Sequence, residues 1–242
     1  MFLAAALLCI GAAAAQTSQA PDEFFTEFTK QRDAIETLRA DFVQTTITPD
    51  ETTISKGTLI YTRPKRLLFR YTDPPLVYMI DSLRVYEYDP GISQIEIMEL
   101  EDRPESEAFY LGFESNVDRL QEAYEIHVLP PDDPEIFALA VEFVPKLSGD
   151  GEEPYFQRVR LQLRKKDYLP AEILIVNDEE SQTSFSVTNF AANEKLPEDL
   201  SHIRVPEGTA IIENDESLDD APAGGLLFPR ESPPKVESED TP

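Results

Sequence analysis

The residues able to do chemistry are few in this chain and do not cluster along it. Its two histidines, His127 and His202, lie far apart in or beside expected strands, where a satisfied or exposed imidazole is the ordinary role. No Gly-x-Ser-x-Gly elbow, phosphate-cradling loop or histidine pair at metal spacing occurs. The acid pairs Asp132-Asp133 and Glu152-Glu153 lack the alternating ligands and glycine turn of a calcium loop, so they read as solvated loop charges. The one thiol, Cys9, falls inside an apolar leader, Met1 to Ala15, which ends in small residues and has the form of a signal peptide cleaved after Ala15. Catalysis, metal and cofactor chemistry are therefore not expected. A net charge of −26, from 47 acids against 21 bases, argues against nucleic-acid partners, because phosphate binding needs basic surface.

What remains is information carried by surfaces. Between Gly57 and Pro90 the chain shows short extended runs separated by an Arg63-Pro64 corner and a Pro74-Pro75 corner. Strand alternation places Leu59, Tyr61 and Arg63 on one face, and Phe69 with Tyr71 on one face after the corner. An arginine pointing the same way as apolar neighbours is either a stem lying flat or a polar latch, because its donors need partners. Further along, Val159, Leu161 and Leu163 alternate with Arg158, Arg160, Gln162 and Arg164, the pattern of a sheet with one dry and one wet face. Similar alternation recurs through Ile95 and Ile97, Tyr124 to Val128, and Phe137 to Phe143.

Helices are scarce. Residues 21 to about 40 predict an amphipathic helix through Phe24, Phe28, Ile35 and Leu38, with its stripe interrupted near Gln31 and Arg32. A second short helix is expected over Ala108 to Phe113, where Phe109, Tyr110, Leu111 and Phe113 crowd together. With so few helices to cover it, the sheet must curl on itself. The chain of 242 residues thus reads as one mainly β domain, a half-open antiparallel barrel with helical lids. From residue 213 the composition turns to acids, Pro and Ser, and disorder is expected, with Gly224 to Phe228 its one apolar spot.

The order Gly57-x-Leu59-(x)3-Arg63-Pro64, Phe69, the proline corner and Asp81 to Pro90 ending in Tyr86-x-Tyr88-Asp89-Pro90 resembles the LolA family, periplasmic carriers that chaperone lipoproteins between membranes. Phe42-x-Gln44 at a first strand, Pro145-Lys146 and Val205-Pro206-x-Gly208 extend the likeness over about Asp22 to Ile212. The pattern departs at Phe69 and Tyr86, where tryptophan is usual, at Ser82 in place of glycine, and at Ala108 in place of proline. The resemblance implies that acyl chains of a lipoprotein occupy a cavity walled by Phe42, Leu59, Tyr61, Phe69, Tyr86 and Tyr88. It implies lids carrying Phe24 and Phe28, then Phe109 and Leu111, with Arg63 as the latch that holds lid carbonyls. It further implies a monomer in the periplasm whose partners are acylated lipoproteins, an inner-membrane lipoprotein-releasing ABC transporter and an outer-membrane acceptor lipoprotein. The alternative is a periplasmic lipid- or lipoprotein-sensing regulatory domain of the same shape.

Overall fold

The computed structural model describes residues 21–100, 106–114, 116–147, 154–214, 216–218 and 220–228. The expected leader and Cys9 lie outside them, as do residues 229–242 of the acidic tail. Helix α1 (Pro21–Asp33) leads into a meander of β1 (Thr37–Ile47), β2 (Thr52–Thr62), β3 (Arg66–Asp73), β4 (Pro75–Ile80), β5 (Arg84–Asp89) and β6 (Gln94–Glu99). Short helices α2 (Glu107–Tyr110) and α3 (Val117–Ala123) precede a second meander, β7 (Tyr124–Leu129), β8 (Phe137–Pro145), β9 (Arg158–Arg164), β10 (Pro170–Val176) and β11 (Gln182–Ala192).

The meanders join through β1 and β11, which pair antiparallel from Leu38 opposite Ala192 to Ile47 opposite Gln182. A 13-stranded sheet results, with β7 at one edge. The other edge is completed by β13 (Ala210–Glu213), parallel to β6, and β14 (Glu216–Ser217). The edges do not pair with each other, so the sheet is curled but open, as the scarcity of helices predicted. Its inner face gathers Phe42, Leu67, Val85, Met98, Val141, Leu161 and Phe185, from strands far apart in the sheet, into one core. Strands so distant in sheet order share a core only if the sheet bends round to bring their inner faces together.

Helix α1 ends at Asp33, earlier than the apolar spacing predicted. Leu38 is buried with Ala40 and Phe42 because all three alternate along β1, a period of two that coincides with helical spacing over so short a stretch. Phe24 and Phe28 are 1% exposed and cap the core at the end where β1 begins. Ala108, Leu111 and Phe113 bring the α2 segment onto it from the side.

The outer face of β2 to β6 is also covered. Ile60, Leu68, Met79, Ile95 and Ile97 pack there against Ile203, Val205, Ile211, Ala221 and Phe228 of the returning chain. After α4 (Glu198–Ser201), β12 (Ile203–Val205) pairs with β15 (Leu226–Phe228) as a separate two-stranded sheet. Within the segment whose composition suggested disorder, the described residues include β14 and β15, the latter ending at Phe228. Ala221, Leu226 and Phe228 of this segment pack on the outer face of the sheet.

Candidate functional site

The inner face is lined by aromatic rings where the curl is open. Phe42 on β1 stands 5.6 Å from Phe69 on β3 and 5.9 Å from Phe185 on β11, measured between ring centroids. Phe109 of α2 completes the group, 5.1 Å from Phe69 and 5.6 Å from Phe185. Leu59 and Tyr61 face the same core, with Tyr61 stacked 4.9 Å from Phe113. Gly57 makes this close approach possible: a Cβ there would lie 2.0 Å from the Arg70 carbonyl oxygen and 3.0 Å from the Phe42 ring.

Four of the six expected wall residues, Phe42, Leu59, Tyr61 and Phe69, thus meet in one core with all four expected lid residues. Tyr86 and Tyr88 do not. They face outward, into the second core, with Tyr86 6.0 Å from the Phe228 ring. In β5 it is Val85 that points inward. Both faces of that strand are buried, so its parity carries no inside-or-outside signal. Phe185, missed in the sequence, sits in a legible alternation with Val187 against Ser184, Ser186 and Thr188. Ser82 needs no glycine-like backbone, because the Asp81 carboxylate closes the turn by accepting from the Leu83 and Arg84 N–H groups at 2.8 and 2.9 Å.

Beyond Phe109, at the end of the sheet opposite α1, lies a cleft of about 480 Å³ bounded by Gln44, Thr46, Tyr155, Ile175 and Thr183. Alternation along β1 accounts for the change in character: Phe42, Gln44 and Thr46 point the same way, apolar first and polar towards the mouth. The polar groups are linked. Tyr71 donates its hydroxyl to Gln44 Oε1 at 2.7 Å, and Gln44 Nε2 donates to Thr46 Oγ1 at 3.0 Å. Burial raises the Tyr71 hydroxyl far above its ordinary range, so it remains a donor.

Polar contacts tie down the helices expected as lids. Arg63 donates to the Asp33 carbonyl at the end of α1, pairs with the Asp33 carboxylate at 2.8 Å and lies 3.7 Å from Glu36. The expected latch residue therefore does meet a lid carbonyl, and its hydrogen bond to Asp33 keeps it firmly cationic. A second arginine, read from sequence only as a break in the stripe, works from the other side. Arg32 is 3% exposed, lies 4.5 Å over the Phe28 ring and donates to the carbonyls of Tyr168 and Asp167 in the β9–β10 turn. Burial pulls its guanidinium down to about 9, partly offset by Asp167, which leaves it charged at neutral pH. The α2 segment hangs from two tyrosines: Tyr78 shares a 2.9 Å hydrogen bond with Ser106 Oγ, and the Tyr110 hydroxyl reaches the Lys65 and Asp81 carbonyls at 3.0 Å each. Lys65 adds an ion pair to Glu114 at 3.0 Å.

His127 pairs across from Glu142 on β8, and His202 lies against Arg66 and Ser201 on the outer face, so the two are not brought together. Among the described residues no group of three His, Cys, Asp or Glu is placed to hold a metal, and no helix is long and apolar enough to cross a membrane.

No curated protein matches the chain. Among solved structures, an uncharacterized conserved protein from Thermus thermophilus aligns with a TM-score of 0.50 at 12% identity, covering 81% of this chain and all (100%) of its own. A LolA superfamily protein from Nitrosomonas europaea aligns with a TM-score of 0.39 at 11% identity, covering 76% of this chain and 98% of its own. The family model described as outer membrane lipoprotein carrier protein LolA matches residues 33–203, from the end of α1 through every strand of both meanders. This protein belongs to the LolA family.

Proposed function

We propose that the protein carries acylated lipoproteins across the periplasm, holding their acyl chains on the inner face of the curled sheet. The observation that supports this reading most is the aromatic cluster of Phe42, Phe69, Phe109 and Phe185 at the inner end of a polar-mouthed cleft. Each buried methylene contributes about 0.8 kcal/mol, so acyl chains do not cross water unaided. In the lidded form the protein's own rings fill much of the space, so cargo gains only the difference between its burial and theirs. That moderates affinity and permits hand-over. The leader Met1 to Ala15 fits export, and the family implies collection from an inner-membrane lipoprotein-releasing ABC transporter and delivery to an outer-membrane acceptor lipoprotein. Arg63 is the proposed latch, released from Asp33 as acyl chains lift α1.

Native mass spectrometry of the protein purified from cells expressing a lipoprotein tests this. The expected result is a mass increment equal to the acylated lipoprotein. Equal retention of the same lipoprotein stripped of its lipid anchor would overturn the reading in favour of a protein-binding regulatory domain.

A further inference from the structure

The open sheet ends at two unequal edges. One is β14, two residues long and too short to template another strand. The other is β7, six residues in regular register with β8, and among the described residues no strand pairs beyond it. One bond fixes which way each β7 backbone group points. The Lys146 N–H donates to the Ala123 carbonyl at 2.9 Å, and the next residue, Tyr124, stands opposite Pro145, which has no N–H to give. Antiparallel pairs alternate between bonded and unbonded, so Glu125 and His127 exchange bonds with Val144 and Glu142, while Ile126 and Val128 turn their N–H and C=O groups away from the sheet. The side chains alternate as well. Ile126 and Val128 lie half-buried against the inner core, and Glu125 and His127 are exposed on the opposite face. Glu142, across from His127 on β8, is already partnered by Arg158 at 3.7 Å.

We propose that β7 is a self-association edge: two copies of the chain pair antiparallel about a two-fold axis at Ile126, continuing one sheet into the next. The inference does not depend on the carrier reading, and it departs from the monomer that the family resemblance implies. In this register Ile126 exchanges both of its outward backbone bonds with the partner's Ile126. Glu125 falls opposite the partner's His127, and His127 opposite the partner's Glu125, in the unbonded pairs whose side chains approach most closely, with about 4.5 Å between Cα atoms. On the apolar face Ile126 meets its own copy and Val128 meets the partner's Tyr124. The strand is thus complementary to itself on both faces. Neighbouring registers are not: an axis at His127 opposes two imidazoles, and an axis at Glu125 opposes two carboxylates over a shorter overlap. Two six-residue strands bury less than a standard interface, so the dimer is a weak one that forms and dissolves with concentration.

Sedimentation velocity of the purified protein from about 10 µM to 1 mM, in ~0.15 M salt to screen the net charge of −26, should show a shift from monomer towards dimer. Amide exchange read by NMR identifies the edge: over the same range exchange at Ile126 and Val128 should slow by about threefold or more, while Glu125 and His127, bonded to β8, are protected at both ends of it. Ile126→Pro removes the N–H at the axis without taking a bond from β8, and should abolish the dimer. His127→Glu sets like charges opposite each other and should weaken association by about tenfold; adding Glu125→Lys restores opposite pairs and should recover most of that loss. Thermal melting confirms that each variant folds, and the charge pair decides alone if Ile126→Pro does not. A monomer at every concentration, Ile126 and Val128 amides that do not slow, or a dimer indifferent to His127→Glu overturns the proposal.

Discussion

Tyr168 holds helix α1 at both ends: its ring meets Phe24 edge-on at 6.3 Å, and its carbonyl accepts from Arg32 two turns further along. The residue adopts a left-handed backbone, φ 53°, at the β9–β10 turn. Together with Arg63, which grips the last carbonyl of α1 from the β2–β3 side, it ties helix α1 to both meanders of the sheet. The two arginines differ in burial, and that difference separates their expected effects.

Replacing Arg32 with Met leaves two turn carbonyls without a donor and removes a charge packed on the Phe28 ring. The unfolding free energy should fall by about 1–3 kcal/mol, the range for losing buried charge-assisted hydrogen bonds. Arg63→Met, at a half-exposed ion pair, should change it by about 1 kcal/mol or less. Amide exchange over residues 21–33 should rise in both variants, and transfer of cargo to acceptor membranes should be impaired in Arg63→Met. Protection unchanged in either variant would remove that arginine from the lid.

Gly57→Ala should lower stability by about 1–3 kcal/mol, the cost of forcing a group into a packed site. The added methyl would collide with the Arg70 carbonyl oxygen, a backbone atom at a register shift in the β2–β3 ladder that has little freedom to retreat. Urea denaturation reads this directly, and a wild-type midpoint would contradict the close packing of Phe42 over β2.

Phe228→Ala should cost about 3–5 kcal/mol, as for a fully buried aromatic side chain, although it lies in a stretch dominated by acids and prolines. A loss under 1 kcal/mol in calorimetry would show that the outer cover is dispensable.

That prediction marks the limit of what the sequence discloses. Phe42 was legible from alternation between Asp41 and Val43, whereas Leu59 and Phe69, whose neighbours Ile60 and Leu68 are buried on the outer face, were placed inward by the family-like Gly57-x-Leu59 to Phe69 pattern together with parity. Tyr86 and Tyr88 were not legible, because Val85 inside and Phe228 outside make both faces of β5 apolar, and only the tertiary path of residues 203–228 decides between them. Arg32 was hidden for a related reason: a charge on an apolar stripe looks like the end of the stripe until the carbonyls that satisfy it are known.

Glu114 supplies a pH dependence. Burial pushes its carboxyl up, but the Asn116 N–H and the ion pair to Lys65 outweigh that, so its folded pKa lies below the ordinary value of 4.5. A carboxyl depressed by folding contributes stability that is fully present above 4.5 and is lost as pH falls through the folded value. Melting temperatures of the wild type and Glu114→Gln should therefore differ by a constant amount from pH 6 to 8 and converge once pH has fallen below the folded value. A gap that persists into acid would mean that the Lys65 contact does not depend on charge.

Phe109 offers the sharpest test of the lid. Its half-buried ring closes the inner end of the cleft by packing on Phe69, Phe185 and Tyr78, so on the proposed carrier reading it would both stabilise the lidded form and occupy space the cargo needs. Phe109→Ala removes both effects at once. Stability should fall by about 1–3 kcal/mol, as for loss of a partly buried aromatic ring. Affinity for a neutral palmitoyl peptide should rise, by about threefold to tenfold, because the binding-competent form no longer has to displace the ring. A static wall predicts the opposite sign, since deleting a contact residue weakens binding. Lower stability with tighter binding would identify Phe109 as the gate; lower stability with weaker binding would make it part of the floor.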